Sequence, residues 1–138
     1  MLKIDCHTHI IPKKLPNWSE NFGYGNFIYL QHHRKGYAKM MRGNQFFREI
    51  KENSWNAELR IKEYEKYHTQ VQVVCTIPVM FSYWARPLDC LDLSRFLNDH
   101  IAGLIAEYPG HYLGLGTVPM QDTELAMQEL ERSREIGL

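Results

Sequence analysis

Two histidines near the start of the chain, His7 and His9, are separated by one residue and end a short apolar run. Side chains at positions i and i+2 of a strand share a face, so their Cα atoms would lie roughly 6.6 Å apart at ~3.3 Å per residue. From that spacing, metal–nitrogen distances of ~2.0–2.1 Å require only modest rotamer adjustment. The pair is a candidate for two metal ligands, with solvated loop histidines as the alternative.

The run before the pair predicts the strand that positions it. Apolar and polar residues alternate, with one face formed by Leu2, Ile4 and Cys6 and the other by Lys3, Asp5 and His7. Alternation of this kind is typical of a half-buried strand. We therefore expect the histidines at the carboxyl end of a first strand, with Asp5 on the face of His7.

Further along, helices and strands are predicted to alternate. Residues 13–55 are predicted to form an insertion, with antiparallel strands at 27–31 and 45–48. Asn56 is a helix N-cap, followed by an inner stripe that includes Ala57, Ile61 and Tyr64. Strands at 71–75 and 112–116 enclose a long helix that runs to Tyr108, and Asp122 caps a last helix.

This order implies right-handed crossovers and a parallel sheet. The sheet could be doubly wound or could be the first part of an eight-fold barrel, but no G-x-G-x-x-G follows the first strand. A closed barrel needs at least ~200 residues. We therefore expect residues 1–138 to form a single but incomplete α/β domain, with the histidines at the carboxyl ends of barrel strands, where active sites lie.

Composition excludes several classes of protein. Sixteen basic and sixteen acidic residues cancel, so nothing favours nucleic acid binding. No apolar run reaches the length of a membrane span, and charged residues occupy the place of a signal peptide's apolar stretch. Three irregularly spaced cysteines indicate reduced thiols in a cytoplasmic protein.

The remaining histidines are weaker candidates. His32 and His33 are adjacent and would face opposite sides of a strand, while His100 and His111 are expected to be structural or solvated. His68 follows the first helix, where a left-handed residue is common.

Longer strings extend the pattern beyond the histidine pair. They are KIDCHTHIIPK (3–13), FGYG (22–25), LQHH (30–33), FR (47–48), ENSW (52–55), RI (60–61), TIPVMFSYWA (76–85) and GLGTVPMQ (114–121). Together they resemble, from end to end of the chain, the aminocarboxymuconate semialdehyde decarboxylase family in the decarboxylase branch of the amidohydrolase superfamily. The motif Asp-x-His-x-His alone indicates only the superfamily, whereas the segment PVMFSYW makes the resemblance to the decarboxylase family specific.

The resemblance implies the first three β/α units of a zinc-dependent (β/α)8 barrel, with a small antiparallel insertion after the first strand. The implied reaction is non-oxidative removal of one carboxylate from 2-amino-3-carboxymuconate 6-semialdehyde in the tryptophan–kynurenine pathway, which limits quinolinate formation. His7 and His9 would bind Zn²⁺, and Arg48 would bind a carboxylate of the dicarboxylate substrate. The other ligands and an acid/base histidine would lie beyond Leu138, so we expect this chain alone to be inactive and the complete enzyme to be a homodimer.

Met80, Phe81 and Trp84 follow the second predicted strand and are candidates for lining the substrate pocket. Plain packing or subunit contact is the alternative for such an aromatic loop. Arg42 is a weaker second candidate for binding a carboxylate.

Two departures from the family pattern are Cys6, where an aliphatic residue or Met is common, and His68, where Gly is usual. Other readings remain open. The chain could instead be part of a different decarboxylase or a hydrolase of the same superfamily, or it could be a non-catalytic, truncated form.

Overall fold

The computed structural model describes all of residues 1–138 and contains six strands and four α-helices. Their order is β1 (Ile4–His9), α1 (Trp18–Phe22), β2 (Ile28–Arg34), β3 (Tyr37–Arg42), β4 (Gln45–Lys51), α2 (Ala57–Glu65), β5 (Val71–Cys75), α3 (Pro87–Glu107), β6 (Tyr112–Gly114) and α4 (Thr123–Glu135). Short 3-10 turns follow β4 (Glu52–Ser54) and β5 (Pro78–Met80).

A parallel sheet with the strand order β1-β5-β6 carries the histidine pair at one end. Helices α2 and α3 make the crossovers between its strands, as the alternating pattern predicted, so the fold is mixed α/β. The side chains of Asn56 and Asp122 cap α2 and α4 as expected. Helix α3 begins at Pro87, a residue favoured in the first turn of a helix.

The segment between β1 and α2 forms a second, antiparallel sheet with the order β2-β3-β4. The sequence predicted two strands here, and the structure has three, because two-residue turns at Gly36 and Gly43 add a middle strand. Both glycines have positive φ, which these tight turns require. Helix α1, with only five residues, was not predicted.

Two buried clusters form the core. The larger one joins the inner face of the antiparallel sheet to α3 and includes Ile11, Met40, Met80 and Leu97. The smaller one fills the space between the parallel sheet and the helices α2 and α3, and consists of Ile10, Ala57, Val74, Ile101, Leu104 and Tyr112. Because Ile10 and Ile11 belong to different clusters, the residues directly after β1 connect the two.

A buried polar network attaches α4 to α3. The Asn98 amide donates to Glu129 at 2.7 Å and to the Thr117 carbonyl at 2.8 Å. Glu129 is fully buried and also accepts hydrogen bonds from Arg95 and Arg132.

Two further observations concern the cysteines and membrane-spanning helices. All three cysteines are free thiols. No helix combines the length and the apolar character needed to span a membrane.

Candidate metal site

A β-bulge shapes the strand that carries the histidines. Asp5 pairs with Gln72 and Thr8 pairs with Val74, so two residues of β1, Cys6 and His7, lie opposite one residue of β5. An extra residue of this kind shifts the alternation of side chains between the two faces of a sheet.

The bulge separates Asp5 from the histidines. Gln72 is buried against α2, where Arg60 donates to its side chain, and its neighbour Asp5 accepts a hydrogen bond from Tyr64 of the same helix at 3.0 Å. His9 lies beside Cys75 on the opposite, open face. The expectation that Asp5 and His7 share a face was therefore wrong, because regular alternation does not continue through the bulge.

The two imidazoles lie close together at the carboxyl end of β1. Their ring centroids are 5.2 Å apart, and the rings are nearly perpendicular at 87°. His7 is exposed and its ring makes no hydrogen bond, whereas His9 is half-buried. The i, i+2 spacing therefore brings both rings to one place, as predicted.

Hydrogen bonding sets the tautomer of His9. Its Nδ1 lies 3.1 Å from the carbonyl oxygen of Thr76, which can only accept, so Nδ1 carries the proton. The Cys75 Sγ lies 3.2 Å from the same nitrogen, and burial raises the pKa of this thiol. The thiol donates to the Thr8 carbonyl at 3.6 Å, which leaves its sulfur as a weak acceptor towards Nδ1. Nε2 of His9 is left with its lone pair free, the state that a metal-binding imidazole requires.

These donors fit a metal ion only in part. Two neutral imidazoles on one strand face suit zinc or another first-row transition metal. However, no group of three or more His, Cys, Asp or Glu side chains in the chain is arranged to hold a metal ion. The 138 residues therefore provide at most two ligands.

Arg60, which the sequence did not single out, contacts the site from α2. Arg60 is 7% exposed, and its guanidinium donates to the carbonyl of His9 at 3.0 Å and to that of Asn53 at 2.9 Å. The spacing could have indicated this: Arg60 lies three residues after Ala57 and four before Tyr64, beside Ile61 of the predicted inner stripe.

Arg48 occupies a different environment. It pairs with Met40 on β3 and so lies on the face of the antiparallel sheet that also carries the buried Ala38 and Ile50. Arg48 itself is exposed and forms no salt bridge or side-chain hydrogen bond. Its fork of donors is available for an anion. Arg42, the weaker candidate, lies near the Phe47 ring, with 5.9 Å between its Cζ and the ring centroid.

The three proposed pocket residues have unequal exposure. Met80 is 2% exposed within the larger core cluster, which agrees with the packing alternative. Phe81 is half-buried and stacks on Tyr83 at 5.5 Å. Trp84 is 54% exposed and packs on Phe27 at 4.7 Å.

The other histidines contact other groups. His32 bonds to the Lys13 carbonyl, and His33 pairs with Glu49. His68 has the expected positive φ of 56°. Burial lowers the pKa of His100, which favours its neutral form.

This α/β fold is shared with solved decarboxylases. The chain aligns over 99% of its length with 36% of the dihydroxybenzoic acid decarboxylase from Polaromonas sp. JS666, whose structure contains manganese and the inhibitor 2-nitroresorcinol. The TM-score is 0.69 at 19% sequence identity, which establishes similarity of fold.

Particular relatives are more similar in sequence. The chain is 51% identical over 99% of its length to 2-amino-3-carboxymuconate-6-semialdehyde decarboxylase of Dictyostelium discoideum, and 38% identical over 91% to that of Caenorhabditis elegans. It spans only 38% and 31% of these two relatives. A 47-residue stretch is 43% identical to gamma-resorcylate decarboxylase of Polaromonas sp.. No family model matches the chain. The resemblance stated from the sequence is thereby confirmed.

Proposed function

We propose that these residues form the metal-binding amino-terminal part of a decarboxylase that acts on 2-amino-3-carboxymuconate 6-semialdehyde. The observation that carries the proposal is the 51% identity to the Dictyostelium decarboxylase over nearly the whole chain. The two imidazoles, with ring centroids 5.2 Å apart at the end of β1, support the metal-binding part of the proposal. The three β/α units would then be the first part of a (β/α)8 barrel, with residues 13–55 inserted after the first strand.

In this proposal His7 and His9 hold Zn²⁺. The Thr76 carbonyl fixes the His9 ring so that Nε2 faces away from its hydrogen-bond partner. Zinc bound there would supply Lewis-acid chemistry and lower the pKa of a coordinated water. The remaining ligands and an acid/base group would come from parts of the enzyme that these residues do not include.

Arg48 binds a carboxylate of the substrate. A guanidinium is charged at every working pH and meets a carboxylate with two parallel hydrogen bonds. Arg48 has no competing partner, so it is free to do so. Phe81 and Trp84 would border the same pocket, and Met80 would support it from the core. The family resemblance also supports a place in tryptophan–kynurenine catabolism and a cytoplasmic homodimer.

A second candidate is a decarboxylase of the same superfamily that acts on aromatic acids. The stretch similar to gamma-resorcylate decarboxylase favours this reading, although it covers only 33% of the chain. The two candidates differ in substrate, since one requires an open-chain dicarboxylate and the other a hydroxylated benzoate.

A chimera tests both candidates. Residues 1–138 would replace the matching amino-terminal part of the Dictyostelium enzyme, and the product would be assayed with 2-amino-3-carboxymuconate 6-semialdehyde and with 2,6-dihydroxybenzoate. We expect turnover of the muconate alone. Replacing His7 and His9 with alanine should abolish turnover and bound zinc, whereas the matched control His33→Ala should preserve both. A folded chimera that binds no zinc, or that turns over only the benzoate, would contradict the proposal.

The chain by itself should be inactive, since two ligands hold zinc weakly. Metal analysis after dialysis checks this expectation. Near-stoichiometric zinc retained by the 138-residue chain would show that the site is more complete than the structure indicates.

A further inference from the structure

We propose that Arg60 is a positioning residue for the metal site, because it sets where the carboxyl end of β1, and with it His9, lies. The inference rests on the proposed role of His7 and His9 and extends it to a group that touches neither metal nor substrate.

The first support is the set of atoms that Arg60 joins. Nη1 donates to the carbonyls of His9 at 3.0 Å and Asn53 at 2.9 Å, and Nε donates to Gln72 at 3.1 Å. One side chain thus connects the end of β1, the turn before α2, and the neighbouring strand β5. The contact to His9 is made through the backbone, so it constrains the strand and leaves the imidazole free.

The second support is the electrostatic setting of the guanidinium. Arg60 is almost fully buried and forms no salt bridge. A buried charge is costly unless hydrogen bonds satisfy it. Displacing the His9 carbonyl would therefore leave one N–H donor of a buried cation and one carbonyl without partners, which favours the observed position of this strand end.

The third support is a companion contact one helical turn further along α2. The Tyr64 hydroxyl donates to Asp5 at 3.0 Å, and the other oxygen of Asp5 accepts the backbone N–H of His7 at 3.2 Å. Helix α2 therefore holds β1 on both sides of the bulge, at Asp5 and at His9. A bulged strand can shift its pairing, and these two anchors prevent the shift that would turn the histidines away from each other.

A purely structural role for Arg60 is the competing explanation, and thermal stability alone does not separate the two. The test compares Arg60→Met and Arg60→Lys with the matched control Asn98→Ala. Asn98 is also buried, but its hydrogen bonds reach α4 and the loop between β6 and α4 rather than β1. Two quantities are measured beside the thermal midpoint. They are the ¹⁵N shifts of the His7 and His9 rings in the metal-free chain at about pH 8, above the ordinary pKa of an imidazole, and the Zn²⁺ affinity of the chimera described above, measured by competition with a chelator.

In the wild-type chain we expect His9 as the single Nδ1–H tautomer. Arg60→Met should mix the tautomers and weaken Zn²⁺ binding about tenfold or more, as loss of supporting contacts typically does. Arg60→Lys should retain part of the single-tautomer signal of His9 and part of the Zn²⁺ affinity, since an ammonium still donates to carbonyls. Asn98→Ala should lower the thermal midpoint and leave the histidine signals and the affinity unchanged.

The outcomes separate the two proposals. If Arg60→Met lowers only the thermal midpoint, Arg60 is structural and the inference is overturned. If the unsubstituted chimera folds but binds no Zn²⁺ while Arg60→Met still alters the His9 tautomer, the positioning role stands and the metal-binding role fails. Should Arg60→Met not fold, Arg60→Lys decides. A change in its histidine signals supports positioning, and wild-type signals overturn it.

Discussion

Arg48 and Arg60 differ in burial and in hydrogen-bond partners, and therefore in what each guanidinium is able to bind. Arg60 is buried and its guanidinium contacts three acceptors, one of them the His9 carbonyl, so its donors are committed to internal contacts. Arg48 is exposed, lies at the edge of a buried sheet face, and has no partner. An arginine without an internal acceptor is the one available to bind a ligand carboxylate.

The first prediction concerns Arg48 in the active chimera proposed above. Arg48→Met should lower kcat/KM about 100-fold, which corresponds to about 2.7 kcal/mol of lost charge-assisted hydrogen bonding. Arg42→Met, a matched change on the adjacent strand, should alter kcat/KM less than about threefold. Steady-state kinetics with the muconate substrate checks both values. Equal losses in the two variants would assign the effect to general charge rather than to a specific contact.

The second prediction concerns Gly25, which has a φ of +79° and lies under the Trp84 ring. A Cβ at this position would approach Trp84 within 2.7 Å, whereas a Cβ at Gly23, with φ of +74°, would meet nothing within 4 Å. Gly23→Ala should therefore lower the free energy of unfolding by about 1 kcal/mol through backbone strain. Gly25→Ala should lower it by about 1–2 kcal/mol more, because the added methyl group also meets Trp84. Urea unfolding followed by circular dichroism measures the difference. Equal costs would mean that Trp84 moves aside freely.

Among the elements, regular patterns were predictable and interruptions were not. The alternation of strands and helices, both side-chain caps and the histidine pair followed from residue types alone. The bulge in β1 did not, because it exists only in the pairing with β5, which one strand's sequence does not encode. Strand β3 was missed because its buried positions, Ala38 and Met40, alternate with half-buried residues that include the basic Lys39.

The third prediction belongs to the contact between α3 and α4. Burial alone would raise the pKa of Glu129, but hydrogen bonds from Arg132, Asn98 and Arg95 together outweigh it and lower that pKa. Since the folded-state pKa lies below the unfolded one, the ionised carboxylate stabilises the fold above the unfolded pKa. This contribution is lost as pH falls through the folded-state pKa.

Glu129→Gln should therefore cost about 2–3 kcal/mol at neutral pH, where the two arginines lose their buried partner. The difference in free energy of unfolding between the wild-type chain and Glu129→Gln should shrink as pH falls below the ordinary pKa range of a glutamate. Urea unfolding at several pH values checks this, with the exposed Glu124→Gln as control. A deficit that does not change with pH would show that packing, rather than charge, dominates at Glu129.

At the scale of the whole molecule, the parallel sheet is covered on one face only. Helices α2 and α3 and the smaller core cluster lie on that face. The other face carries the histidines together with exposed apolar side chains, among them Ile4 at 45% and Leu113 at 54%. Strands β1 and β6 also have free edges. In a closed barrel this face would be the interior, so covering it and completing the metal site would be the same event.

The last prediction follows from that open face. Exposed apolar surface beside free strand edges favours association, so the 138-residue chain should self-associate as its concentration rises. Leu113→Lys should reduce association without lowering the thermal midpoint, because the side chain is already exposed and a charge disfavours a neighbouring strand. Leu88→Lys, at the equally exposed start of α3, is the control and should leave association unchanged. Light scattering coupled to size-exclusion chromatography measures the mass. A wild-type chain that stays monomeric, or an equal effect of Leu88→Lys, would show that the open face does not drive association.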